Sequence, residues 1–234
     1  MRIRLSGAAL GLALAVAACQ SGGDEGTPSL QTNDQKASYA IGLNWGRQLL
    51  QVSDKIDLAS LRAGIRDGIG ELDPAIADAD IQGVMEQFGR EVDEAEASKR
   101  ETAATKNQEE GQAYLAENGQ KEGVLITASG LQYEVLRAGS GPKPGPENQV
   151  RVHYRGTLLD GKEFDSSYAR GEPAVFAVGQ VIPGFAEGLQ LMETGSQYRF
   201  VLPGDIAYGP GGAGADIGPN ATLIFEVELL EILP

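Results

Sequence analysis

The sequence predicts an α+β fold in which an all-helical first half precedes an antiparallel sheet packed on one short helix. Three observations carry this expectation. Apolar residues recur at helical spacing up to Val92; the run from Asp93 to Gln112 is rich in helix formers but holds no large apolar side chain; and from Gly123 the dominant period drops to two.

In the helical half, Ala37, Ile41, Trp45 and Leu49 recur at i+4. Leu58, Leu61, Ile65 and Ile69 follow Asp57 as a cap, and Ile81, Met85, Phe88 and Val92 follow Asp78 or Asp80 as the next one. The three stripes fall in residues 33–92, a unit too small to bury them without disulfides, so pairing with a second copy is expected. Residues 93–122 read as a connecting helix that is polar on every side and bridges domains through solvent. Running from about Ala79 to Asn118, it would be about 60 Å long at 1.5 Å per residue. A disordered linker is the alternative, with Gly111 as its best support.

Residues 123–234 form the sheet domain. "LQYEVLRAG", "QVRVHYRGTLL", "SQYRFVLP" and "ATLIFEVELLEIL" alternate as strands, and Asp160-Gly161 is a hairpin turn that needs positive φ. Within "VIPGFAEGLQLM", Phe185, Leu189 and Met192 stand at i, i+4 and i+7, with Pro183 near the start and Gly195 past the end: one amphipathic helix.

Residues 1–18, "MRIRLSGAALGLALAVAA", carry early arginines and an apolar run ending in small residues, as an export signal does. The run is too short and alanine-rich for a membrane span. It stops at Cys19, the only cysteine, in "VAAC", which resembles a bacterial lipobox whose cysteine becomes the lipid-bearing first residue. An ordinary signal cut near the same place is the alternative. Because Gln20 follows, the expected location is the outer membrane, facing the periplasm or the cell surface. Residues 19–32 read as a flexible tether, since "QSGGDEGTPSLQT" lacks apolar periodicity. The 33 acids against 19 bases, a net charge of -14, argue against nucleic acid as a partner and against binding anionic lipid by charge.

Several chemical motifs fail. "GPGGAG", Gly209 to Gly214, matches a dinucleotide pattern, but a proline sits inside it and a strand pattern follows. No P-loop, G-x-S-x-G or His/Cys ligand cluster occurs, so no metal or cofactor is expected. His153, the one histidine, reads as a packing or hydrogen-bonding residue on a strand.

An aromatic and aliphatic set remains in the sheet domain: Tyr154, Phe164, Val181, Ile182, Phe185, Tyr208 and Phe225, with Asp165 among them. By pattern alone most of these would be core. Their surrounding strings, "VHYRGTLLDGKEFDSSY", "VIPGFAEGLQLM" and "IAYGPGGAGADIGPNATLIFEVELL", resemble the FKBP-type peptidyl-prolyl isomerases in order and spacing. The helical part, from "DQKASYAIGLNWGRQL", is similar to the dimerisation region of the macrophage infectivity potentiator group.

The resemblance implies a half-barrel of antiparallel strands wrapped on one short helix, with a prolyl pocket between them. It implies catalytic positions at Asp165, Tyr208, Phe164 and Tyr154, substrate contacts from Val181, Ile182, Phe185 and Phe225, proline-containing clients, macrolide ligands and a homodimer. The backbone N–H of Ile182 would hold a substrate carbonyl. Phe185 stands where the best-known members carry tryptophan, Ala174 where phenylalanine is common, Ile206 for a tyrosine and Ala213 for a histidine. The expected function is proline isomerisation in folding of exported proteins. The alternatives are an ATP-independent holdase, or a surface lipoprotein or adhesin keeping only the fold.

Overall fold

The computed structural model describes residues 29–233. The export signal, Cys19 and most of the tether lie outside the described residues. The chain divides into two units between Ala75 and Ile76.

In the first unit, α1 (Asn33–Gln48) starts at Thr32, whose hydroxyl accepts the Gln35 N–H while Gln35 Oε1 accepts that of Thr32. Two orphan donors are thereby satisfied at one helix end. Helix α2 (Leu58–Ile69) starts at Asp57, whose carboxylate accepts the Ser60 N–H at 2.7 Å. Neither helix has a buried residue. Ile41 and Trp45 are 54% and 49% exposed.

The second unit opens with α3 (Asp78–Asn118), 41 residues without interruption. The expected boundary at residue 92 falls inside it. Ala77 takes the cap position without a side-chain bond, so Asp78 and Asp80 lie in the first turn, where they complement the helix dipole instead of capping it. The expectation of a helix bathed in solvent holds only for part of α3. Gly111 and Asn118 are buried, Asn118 Nδ2 donates to Gln132 Oε1 at 2.9 Å, and Gln132 Nε2 donates to the Leu115 carbonyl at 2.8 Å. Gly111 is not a linker residue. A Cβ there would stand 2.3 Å from Thr222 Oγ1, so glycine allows a close approach within a continuous helix.

After α3 come β1 (Val124–Ile126), β2 (Gln132–Arg137), β3 (Gln149–Thr157), β4 (Glu163–Ser166), the one-turn α4 (Ser167–Arg170) and β5 (Ala174–Ala177). They are followed by α5 (Pro183–Leu191), β6 (Gln197–Leu202) and β7 (Leu223–Leu233). The strands form one antiparallel sheet in the order β1-β2-β6-β7-β3-β4. The second edge of β3 is shared: β5 pairs with Gln149 to Val152 and β4 with Arg155 to Thr157.

Alternation sets which face is core. Val150, Val152, Tyr154 and Gly156 of β3 are buried, with more exposed residues between them. Opposite them lies α5, with Phe185 and Leu189 buried, and Met192 just past its end is fully buried. Gly161 has φ 87°, as the hairpin turn requires, and Gly195 has φ 86° beyond α5.

Candidate active site

Between α5 and the concave face of the sheet lies a cleft of about 350 Å³. Its lining is Tyr154, Phe164, Asp165, Phe176, Gln180, Val181, Ile182, Phe185, Tyr208 and Phe225. The side chains are delivered by several elements. Tyr154 comes from β3, Phe164 and Asp165 from β4, and Phe225 from β7. Ile182 is the N-cap of α5, its carbonyl accepting the N–H groups of Phe185 and Ala186, both at 3.0 Å.

Phe185 forms the floor, its ring centroid 5.0 Å from Phe225, 5.9 Å from Phe176 and 6.2 Å from Tyr154. Phe164 meets Phe225 edge-on at 5.6 Å and 87°. These tilted and edge-to-face arrangements are the ones ring quadrupoles favour. Gly156 makes room for the wall: a Cβ there would lie 2.6 Å from Phe164 Cζ and 2.9 Å from Phe225 Cε1.

One carboxylate stands in this apolar setting. The Tyr154 hydroxyl donates to Asp165 Oδ2, and Arg170 Nη1 donates to Oδ1. Arg170 Nη2 also donates to the Tyr154 hydroxyl at 2.9 Å, with the guanidinium 5.5 Å from the tyrosine ring centroid. Helix α4 fixes Arg170: the Ser166 hydroxyl accepts the Ala169 N–H at its start, and Gly171 closes it at φ 79°. Burial pushes the Asp165 carboxyl up, but the bonds from Tyr154 and Arg170 outweigh it and hold the group below the usual carboxylate range. The Tyr154 hydroxyl is pushed up to about 12, first by burial and then by its bond to Asp165. The site therefore holds a fixed anion, a fixed cation and a neutral phenol, with no nucleophile beside a base.

Residues 141–230 match the family model described as FKBP-type peptidyl-prolyl cis-trans isomerase. Residues 34–135 match that of the domain amino terminal to FKBP-type peptidyl-prolyl isomerase. The FKBP-type peptidyl-prolyl cis-trans isomerase FkpA of Aeromonas hydrophila is 45% identical over 206 residues, 85% of this chain and 76% of that one. The chain belongs to the FKBP-type peptidyl-prolyl cis-trans isomerases. It is also 37% identical over 232 residues to the outer membrane protein MIP of Legionella longbeachae, covering 99% of this chain and 98% of that one. Among solved structures, the crystal structure of FkpA from Escherichia coli matches with a TM-score of 0.70 at 36% identity, over 88% of this chain and 99% of that one.

In this isomerase the cleft brings together all eight sheet-domain residues singled out from the sequence. Cys19 lies outside the described residues. His153 is not in the lining; its Nδ1 is 3.0 Å from Ser167 Oγ and its ring stacks on Tyr168 at 4.6 Å. "GPGGAG" forms a single 3-10 turn followed by a bridge between Ala213 and Ile217, with no helix after it. Phe176, Gln180 and Arg170 were not anticipated. For Phe176 a signal existed: a four-residue strand between Pro173 and Gly179, on which Ala174 and Phe176 share a face. It brings a ring to the cleft two residues beyond Ala174.

Proposed function

We propose that the cleft is the prolyl site of this isomerase, and that the enzyme serves exported polypeptides as a lipid-anchored homodimer. The observation that carries the site assignment is the convergence of six aromatic rings, Val181 and Ile182 around Asp165 on one cleft. A lining of apolar side chains with a few placed polar groups is the usual form of a small-ligand site. Rotating an X-Pro amide opposes a resonance barrier of about 18–20 kcal/mol but breaks no σ bond, so no nucleophile is needed.

The twisted amide has lost charge separation, and a water-poor wall favours it over the planar form. Asp165 acts as a fixed dipole at the pocket edge. Its two oxygens already accept from Tyr154 and Arg170, which suits a group that shapes a field rather than one that takes a proton. Tyr208 and the backbone N–H of Ile182 supply the polar contacts that orient the substrate. Macrolide ligands would enter the same cleft.

Pairing is supported by the absence of buried residues in α1 and α2 together with the half-exposed Ile41 and Trp45. Anchoring is supported by the "VAAC" string ending at Cys19 and by a relative named as an outer membrane protein. The deciding experiment is proline-limited refolding of a substrate protein with the chain from Gln20 onward. Uncatalysed isomerisation takes roughly 10–100 s at 25 °C. Absence of acceleration at micromolar enzyme would refute the reading.

A further inference from the structure

Helix α3 reaches the loop that carries Tyr208. Three contacts made by α3 meet the connection between β6 and β7. Arg100 Nη2 donates to the Gly211 carbonyl at 3.1 Å, and Asn107 Nδ2 donates to the Pro219 carbonyl at 2.8 Å. Gly111 lies so near Thr222 that a Cβ would be 2.3 Å from its Oγ1. Positions 100, 107 and 111 share one stripe of a helix.

The backbone passes this grip toward the cleft. Asn220, next after Pro219, sits in the left-handed region at φ 55°, and its N–H donates to the Gly209 carbonyl at 2.8 Å. Gly204 packs on the same residue, since a Cβ there would stand 2.7 Å from the Asn220 carbonyl oxygen. Gly204 and Gly209 bracket Tyr208. That tyrosine belongs to no strand and is 41% exposed, so its place at the rim depends on how the loop is held. A helix that only connected two domains would gain nothing from an interior glycine, which weakens it. At position 111 the glycine lies where a side chain would strike Thr222.

We propose that α3 braces the Tyr208 loop, with Asn107 and Gly111 as positioning residues for the prolyl pocket. The inference rests on the pocket reading given above. The test uses the mature full-length chain and a short X-Pro peptide. Gly111→Ala is expected to lower kcat/KM by about three- to tenfold. Adding Thr222→Ala removes the hydroxyl in its way and restores the rate. In a Tyr208→Ala background, Gly111→Ala costs nothing further, because its effect passes through Tyr208.

A parental rate in Gly111→Ala, a loss that Thr222→Ala does not reverse, or the same loss without Tyr208 overturns the brace. Asn107→Ala, which only deletes polar atoms, carries the test if Gly111→Ala unfolds. It is expected to move the amide resonances of Tyr208 and Gly209 while leaving those of β5 in place; unmoved resonances overturn the brace as well. Should the parental chain isomerise no peptide, the pocket reading falls, and the resonances still decide the brace.

Discussion

The Tyr154 hydroxyl donates to Asp165 Oδ2 at the edge of the cleft, and Arg170 holds the other oxygen of the same carboxylate. Asp165 is therefore a member of a three-residue clamp. Replacing it with alanine removes the pocket's anion and leaves the Tyr154 hydroxyl and Arg170 without their shared acceptor. Asp165→Ala is expected to lower kcat/KM by about tenfold, which corresponds to about 1.4 kcal/mol of transition-state stabilisation, with the fold retained. Tyr208→Phe, which keeps the ring, costs less. Peptide isomerisation rates with circular dichroism on each variant check both.

The clamp also fixes a pH response. Asp165 is held below its ordinary value of 3.8, so its contribution to stability is complete above that value and is lost as pH falls through the lower folded value. Tyr154 is raised from 10.0 to about 12, so its contribution is complete below pH 10 and is lost between 10 and 12. Neither group titrates between these limits. kcat/KM is expected to stay flat from about pH 5 to about pH 9. A bell-shaped profile within that range would require a titrating group that the clamp does not contain.

Side chains that bury apolar area announced themselves in the sequence. Phe185, Leu189 and Met192 marked α5, the alternation of Val150, Val152 and Tyr154 marked β3, and Asp57 marked the start of α2. What stayed hidden was carried by polar atoms and by missing atoms. Asn107 and Gly111 dock α3 through one amide bond and one absent side chain, neither of which produces a hydrophobic period. Arg170 reaches Asp165 only because Ser166 and Gly171 wind one helical turn between them, a local geometry without an apolar signal. The pocket set needed more than pattern, because Tyr154, Phe185 and Phe225 are nearly buried and read as ordinary core.

The docked end of α3 makes a prediction about truncation. A chain starting at Ile76 keeps every bond from α3 to the sheet, whereas one starting at Gly123 strips the buried Gln132 side chain of its partners at Leu115 and Asn118. Each such hydrogen bond contributes about 0.5–1.5 kcal/mol net, and the two are lost together. The shorter fragment is expected to melt at least about 5 °C below the longer one. Equal melting temperatures in a calorimetric scan would mean that the docking contributes nothing to stability.

Attachment to a membrane is expected to depend on Cys19 alone. The segment after it, "QSGGDEGTPSLQT", has no basic residue to provide a second anchor, and no described helix is long and apolar enough to cross a membrane. Acyl chains contribute about 0.8 kcal/mol per buried CH₂, far more than this segment offers. Cys19→Ser protein is expected in the soluble fraction after washing; its recovery with membranes would refute the lipid anchor.

Ile41 and Trp45 lie one turn apart on α1, both about half exposed, in a unit whose helices have no buried residue. Fully burying such a side chain is worth roughly 1.5–3 kcal/mol, and covering the exposed half about half as much, so leaving a row of them in water is costly. A second copy presenting the same row removes that cost on both sides, as a two-fold interface does. Ile41→Glu combined with Trp45→Glu places charge where the partner's apolar row would sit, and the expected product is a folded monomer by sedimentation. Its rate on a short peptide should match the parent, because one peptide occupies one pocket. On an unfolded protein it should fall, since two linked pockets hold a long chain at two points and gain from effective concentration. A parental chain that sediments as a monomer ends the pairing idea. Equal activity on the protein substrate ends the role given to the second pocket.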